Sequence, residues 1–237
     1  NRRFMFYGTV IGVFLACLLT LSLKPQYQAT MIVAPPSHDS RTDSFVEGVF
    51  VYAPNVEAHI PTGRPEFIRF EQSLRGAAVS ALIFKMDHMV DKISEDSLWR
   101  GVSNTIKSPE DLSVYLYHHI QIEPIGATPS RKITYRHPDP EFAAKLLIML
   151  RKADDQIIRT SIKAETETKI EWLKTEFVKT LNPDHRQALA QLLMSEERRR
   201  MLLSLETPYA VNVVEEASST PSPVIPNAPL TFVFLTL

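Results

Sequence analysis

The stretch DPEFAAKLLIMLRKADDQIIRTSIKAETETKIEWLKTEFVKTLNP, residues 139 to 183, decides how this chain is built. Between Pro140 and Pro183 there is neither a glycine nor a proline, so the spacing predicts one uninterrupted helix of about 60 Å. Its first half is apolar over a broad face: Phe142, Leu146, Met149, Leu150, Ile157 and Ile158. Its second half carries only a narrow stripe, Ile170, Leu173, Phe177 and Leu181. A stripe at spacings of three and four suits packing on another helix rather than burial in a globular core. Pro183 forces a turn, and His185 to Glu206 supplies a second helix with Leu189, Leu192, Leu193, Leu202 and Leu205. The pair reads as a helical hairpin, against the alternative of two separate helices in a compact bundle. Asp154, Asp155, Glu196 and Glu197 read as solvated faces. Arg198 to Arg200 read as intrahelical ion-pair partners, against a contact to an anionic polysaccharide or an adjoining subunit.

The same start signal recurs upstream. Ser108-Pro109-Glu110, Asp139-Pro140-Glu141 and Asn182-Pro183-Asp184 each place a capping side chain before a proline at the first helical position. An acid then follows in the positively polarised first turn. Pro65 opens another helix, in which Phe67, Phe70, Leu74, Ala78 and Leu82 mark one face. Residues 26–33 (QYQATMIV), 120–125 (IQIEPI), 132–136 (KITYR) and 207–216 (TPYAVNVVEE) have strand character, and Phe45 to Tyr52 is a strand or a buried loop. His118-His119 marks a helix C-terminus, where imidazole meets unpaired carbonyls.

Both ends are apolar. Phe4 to Leu23 is about twenty residues without a charge, enough to cross a hydrocarbon core of about 30 Å. Arg2 and Arg3 before it favour a cytoplasmic N-terminus. Leu230 to Leu237 (LTFVFLTL) reads as the start of a second span. The chain begins with Asn, and its last apolar run is unfinished, so it reads as a portion of a longer protein. Between the ends, PSPVIPNAP places Pro223, Pro226 and Pro229 at every third residue, the period of a polyproline II helix, just before the second apolar run.

These readings divide the chain into a cytoplasmic tail (1–3), a transmembrane helix (4–23) and a periplasmic α/β base (24–138). A long helical hairpin (139–206), a closing strand with the proline-rich segment (207–229), and the start of a second transmembrane helix (230–237) follow. The fold class is an α+β periplasmic domain with a long helical hairpin, flanked by two transmembrane helices, the second one truncated.

Composition narrows the function. With 26 basic and 27 acidic side chains among 237 residues, no global field favours nucleic acid. The one cysteine, Cys17, allows no intrachain disulfide and no Cys-type zinc site. No HExxH, GxSxG, SxxK, GxGxxG or Walker loop is present, so no catalytic, cofactor-binding or metal-binding residue is assigned.

Taken together, the early span, YQATMIV, PEFIRFEQSL, KITYRHPDPEFAAKLLIML, the long helix, PYAVNVVEEA and PSPVIPNAP resemble the polysaccharide co-polymerase family, the Wzz-type chain-length determinants. Most family-like are the run from Asp139 to Ala144 and the pattern Pro223-x-x-Pro226-x-x-Pro229. The resemblance implies a non-catalytic homo-oligomer of the bacterial inner membrane, with its main domain in the periplasm and no cofactor. It would regulate the chain length of O-antigen, capsule or exopolysaccharide, with a membrane polymerase or exporter, the lipid bilayer and the glycan itself as partners. The alternative from another class is the sensor domain of a two-span receptor. A periplasmic adaptor of an efflux or secretion system would need glycine-rich barrel strands, for which seven glycines are few.

Overall fold

The computed structural model describes residues 23–36, 65–86, 88–97 and 106–225. The strand or loop expected over 45–52, most of the first predicted span, the whole of the second, and Pro226 and Pro229 lie outside the described residues. Among those described, no helix is long and apolar enough to cross a membrane. The chain divides into two compact units, one of Asn1–Val33, Ser73–Arg151 and Val213–Leu237, the other of Ala34–Gln72 and Lys152–Asn212.

The first unit contains a four-stranded sheet. Its strands are β1 (Tyr27–Ala34), β2 (Gln121–Pro124), β3 (Arg131–His137) and β4 (Asn212–Ser219), in the spatial order β2-β3-β1-β4. β1 pairs antiparallel with β3 from Tyr27↔His137 to Val33↔Arg131, and β2 pairs antiparallel with β3 from Gln121↔Thr134 to Pro124↔Arg131. β2 and β3 therefore form a hairpin. Gly126 in their connection sits at φ 55°, where a side chain would be strained. β1 alternates strictly, burying Ala29, Met31 and Val33, as one face of a half-buried strand must. Both sheet edges are guarded against pairing with another chain. β2 is four residues long and ends in proline, and β4 carries exposed Glu215 and Glu216.

The helix expected from Pro65 is two helices, α1 (Pro65–Ser73) and α2 (Ala77–Phe84). Phe67, Phe70 and Leu74 are buried as expected, but Ala78 is exposed and Leu82 half-buried; Val79 and Ile83 are buried in their place. The cause lies at Gly76. Its extended backbone (φ −81°, ψ 167°) ends one helix and starts the next in a new phase. The Gly76 amide donates to the Ser73 carbonyl at 2.7 Å, and a Cβ at this position would lie 2.9 Å from that oxygen. α2, α3 (Met89–Ser94) and α4 (Pro109–His119) belong to the first unit, with α2 packed on α4, whereas residues 65–72 of α1 belong to the second.

All three proline starts cap as their chemistry dictates. Ser108 and Asp111 form a reciprocal capping box on α4, which ends at His118-His119. Asp139 Oδ1 accepts from the amides of Glu141 and Phe142 at 3.0 and 3.1 Å, opening α5 (Pro140–Lys179). Asn182 Oδ1 accepts from the Asp184 amide at 2.9 Å, opening α6 (Pro183–Ser204). α5 is the single forty-residue helix that residues 140–181 lead one to expect.

In the second unit α5 and α6 form the hairpin. The buried stripe of α5 runs Ile158, Ile162, Thr166, Ile170 and Leu173. The Lys174 ammonium lies 3.2 Å from Glu197 across the pair, and the Arg186 guanidinium sits 4.9 Å over the Phe177 ring beside the turn. α6 buries only Leu203; Leu189 and Leu193 are half-buried, and Leu192, Leu202 and Leu205 are exposed.

Asp154 and Asp155 are not solvated: both are buried. Asp155 Oδ1 accepts from the amides of Tyr209 and Ala210, both at 2.8 Å, and Oδ2 pairs with Arg159 at 3.1 Å. Arg159 in turn donates to the carbonyls of Leu205 and Thr207. A charge pair on α5 thus supplies partners to the chain leaving α6, which would otherwise be left with unpaired backbone groups. Arg200 pairs with Glu197 three residues away at 2.5 Å, as intrahelical pairing requires, whereas Arg199 reaches Glu66 of α1 at 3.3 Å.

Accepting two amide hydrogens, the first of them from Phe142, holds the Asp139 carboxyl below its ordinary pKa, with Lys92 adding to the effect. A depressed folded pKa contributes stability above the unfolded value of about 3.9 and loses it as pH falls below that. Asp139→Ala is expected to cost about 1 kcal/mol in urea unfolding at neutral pH. Asp139→Asn should retain most of that stability while flattening its decline below about pH 4.

Candidate functional site at the paired chain ends

The features that bear on function converge in the first unit, where residues 24–28 meet residues 220–225. Gln26, two residues after Lys24, forms an antiparallel bridge with Ile225. The Gln26 amide donates to the Ile225 carbonyl at 2.9 Å, and the Gln26 carbonyl accepts from Val224 at 2.7 Å and Ile225 at 3.4 Å. Two residues on, the Gln28 carbonyl accepts from the Thr220 amide at 2.9 Å, and the Gln28 amide donates to the Thr220 hydroxyl at 3.2 Å. At the bridge itself, the chain entering at Gln26 and the chain leaving at Ile225 therefore lie side by side. Sequence reading places strands near both ends but has no signal for this pairing, since the partners are close to two hundred positions apart and neither segment carries a register mark.

A buried polar cluster holds the bridge in place. The Gln26 side chain, nearly enclosed, donates from Nε2 to Asp96 Oδ1 at 3.2 Å. Asp96 Oδ2 accepts from the Tyr115 hydroxyl. The Tyr115 oxygen lies 2.9 Å from the Tyr135 hydroxyl. Since a phenol has a single hydrogen, Tyr135 donates to Tyr115, which donates to Asp96. His119 stacks on the Tyr115 ring at 4.0 Å and brings Nε2 to 4.0 Å from Asp96 Oδ2. Lys24 donates to the Glu95 carbonyl at 3.0 Å. On the far side, Tyr135 stacks at 6.0 Å on His137, whose Nδ1 accepts from the Asp139 amide at 3.0 Å and whose Nε2 lies 3.0 Å from the Lys92 carbonyl. A continuous set of contacts therefore joins the paired ends to the cap of α5.

Burial, reinforced by Tyr135 and Asp96, pushes the Tyr115 hydroxyl far above the ordinary phenol range. Burial and then Asp96 push the Tyr135 hydroxyl upward too. The cluster is therefore a set of neutral donors around one carboxyl group, suited to holding geometry rather than to moving protons. Among the described residues no group of three or more His, Cys, Asp or Glu is placed to hold a metal ion.

The residues singled out from sequence are distributed elsewhere. Pro223 is exposed, immediately before the Val224–Ile225 bridge. Of the α5 stripe, Ile170 and Leu173 are buried, Phe177 is half-buried and Leu181 is 93% exposed. Beside that stripe Val178 is 81% and Trp172 59% exposed, and Met194 and Met201 are exposed on α6. The structure thus brings Lys24, Gln26, Asp96, Tyr115, Tyr135 and His119 together; of these the sequence singled out His119 alone, and only as a helix end.

No family model matches the chain, and no curated protein matches it. Among solved structures it is similar to a full-length bacterial polysaccharide co-polymerase, at 12% identity and a TM-score of 0.44, over 98% of this chain and 88% of that one. It is similar also to a fragment of WzzB, the polysaccharide co-polymerase from Salmonella Typhimurium, at 14% identity and a TM-score of 0.45, over 84% and 97%. A point mutant of the Shigella flexneri lipopolysaccharide O-antigen chain-length regulator WzzBSF matches at 12% identity and a TM-score of 0.29, over 84% and 98%. All three bear names from the co-polymerase and chain-length-regulator family.

The bridge and its support are each open to test. With Cys17→Ser as background, Gln26→Cys combined with Ile225→Cys is expected to form a disulfide on mild oxidation, since bridged strand residues lie within disulfide reach. The faster-migrating band on a non-reducing gel reports it. Tyr115→Phe leaves Asp96 and Tyr135 short of a partner and should cost about 1–3 kcal/mol in denaturant unfolding. Because raised folded pKa values stabilise below the unfolded value and cease to do so above it, wild-type stability should fall as pH rises past about 10. The variant should show a smaller fall.

Proposed function

We propose that this chain is an inner-membrane polysaccharide co-polymerase whose main domain lies in the periplasm and which sets the chain length of a bacterial surface polysaccharide as a homo-oligomer. The antiparallel bridge between Gln26 and Ile225 supports the membrane-anchored part of the reading, and the exposed apolar surface of the α5–α6 hairpin carries the assembly part. The bridge pairs the two points of the chain that lie next to the apolar sequences 4–23 and 230–237. A domain with one polypeptide exit pair leading into two uncharged segments is suited to standing on one bilayer. The segment layout follows: a tail at 1–3, spans at 4–23 and from 230, a base at 24–138, a hairpin at 139–206, and a return at 207–229 in which Pro223, Pro226 and Pro229 stiffen the approach to the membrane.

Paired exits suit a two-span receptor equally well. The hairpin favours assembly instead. A forty-residue helix and its partner leave Trp172, Val178, Leu181, Met194 and Met201 in water in one chain. Neighbouring copies side by side would cover this surface, with Leu181 and Phe177 the accessible end of the stripe and Ile170 and Leu173 backing them from within. The polymer, which is O-antigen, capsule or exopolysaccharide, would be made or exported by a membrane partner, and the co-polymerase would act on its length without catalysing a bond.

Two measurements test the proposal. Deleting the gene should change the length distribution of the surface glycan on a gel, and crosslinking in membranes should yield a ladder of homo-oligomers. Val178→Lys with Leu181→Lys should shorten that ladder and shift the distribution while leaving thermal stability within about 0.5 kcal/mol of wild type, since both sites are exposed. A protein that stays monomeric and leaves glycan length unchanged on deletion would discard the reading.

A further inference from the structure

We propose that the C-terminal half of α4, together with Arg75, is a docking surface for the phospholipid headgroup layer. The inference rests on the reading that the paired ends continue into one bilayer, and it adds a contact that the ends themselves do not require. Val114 and Tyr117 are one helical turn apart on α4 and are 59% and 62% exposed, opposite the buried face of Leu112, Tyr115 and Leu116. The Arg75 guanidinium lies 4.8 Å from the Tyr117 ring centroid and donates from Nη1 to the Ile120 carbonyl at 3.2 Å, so it is held beside the phenol rather than free to swing. His118 meets the same ring edge-on at 5.6 Å. Aliphatic carbon, a phenol, a guanidinium and an imidazole thus share one patch.

Placement and chemistry both point to lipid. The last turn of α4 holds His119, which approaches Asp96, and Asp96 is bonded to the Gln26 side chain, so two contacts separate that turn from the chain exit. The sheet agrees. β3 runs towards the exit, since its last residue pairs with Tyr27, and β2 runs away from it; the helix that feeds β2 therefore ends at the exit side. The boundary between headgroups and acyl chains favours tyrosine, whose ring takes the apolar side while its hydroxyl stays wet. A guanidinium pairs with phosphate through two parallel N–H donors, and Arg75 spends only Nη1 on Ile120. A neighbouring copy of the chain is the rival occupant.

The test uses the full chain in vesicles of phosphatidylcholine and phosphatidylglycerol, with the phosphatidylcholine brominated at the upper acyl carbons. The chain has two tryptophans, Trp99 and Trp172. In a Trp99→Phe, Trp172→Phe background, the indole introduced by Tyr117→Trp should lose emission relative to unbrominated vesicles, and Arg75→Gln should reduce that loss. A bilayer-inserted protein whose introduced indole is unquenched, whether solvated or blue-shifted against a neighbouring copy, overturns the inference and leaves the proposed function standing. A protein washed from the vesicles by alkaline carbonate overturns both.

Discussion

One backbone contact organises the first unit: the meeting of Gln26 with Val224 and Ile225. Gln26 serves it twice. Its main chain closes the sheet against the returning segment, and its side chain anchors that closure to Asp96. Without the amide–carboxyl bond, the Tyr115 and Tyr135 hydroxyls would converge on a carboxyl group that no longer reports where the ends lie. A buried polar network of this kind specifies one arrangement among many of similar apolar burial, because any other leaves groups unsatisfied at about 1–3 kcal/mol each.

In the second unit the same device appears with full charges. Asp155 and Arg159 face both ways: each pairs with the other along α5, and each also bonds the backbone that follows α6. Glu197 likewise joins Lys174 of α5 to Arg200 of its own helix. The apolar stripe between the helices is narrow and interrupted by Thr166. Polar pairs therefore set which turns of α5 and α6 lie opposite each other, a register that apolar side chains alone specify poorly.

Local physics was readable from sequence where it is decided locally. Proline after a capping side chain marks a helix start because the missing amide costs nothing there, and Ser108, Asp139 and Asn182 all behave accordingly. The unbroken run after Pro140 gave the long helix for the same reason. Periodicity misled at Gly76, where a single extended residue reset the phase so that Val79 and Ile83, not Ala78 and Leu82, turned inward. It misled again at Asp154 and Asp155, since charge in a sequence says nothing about a partner fifty residues away. The candidate site was unreadable for that reason: Gln26, Asp96, Tyr115 and Tyr135 are ordinary residues in ordinary elements, and only the tertiary pairing makes them a cluster.

The bridge between the ends also dictates when this protein can become itself. Gln28 and Thr220 are 192 positions apart, and each compact unit is assembled from separated pieces of chain. Closing a loop that long carries an entropy cost on the order of 5 kcal/mol before the sheet repays any of it. During synthesis, β1 has its neighbour β3 early but waits for β4 until nearly every described residue has emerged. Folding is thus gated by the last strand made, and a ribosome-bound chain halted before residue 212 would hold an open sheet edge and a cluster without its lock.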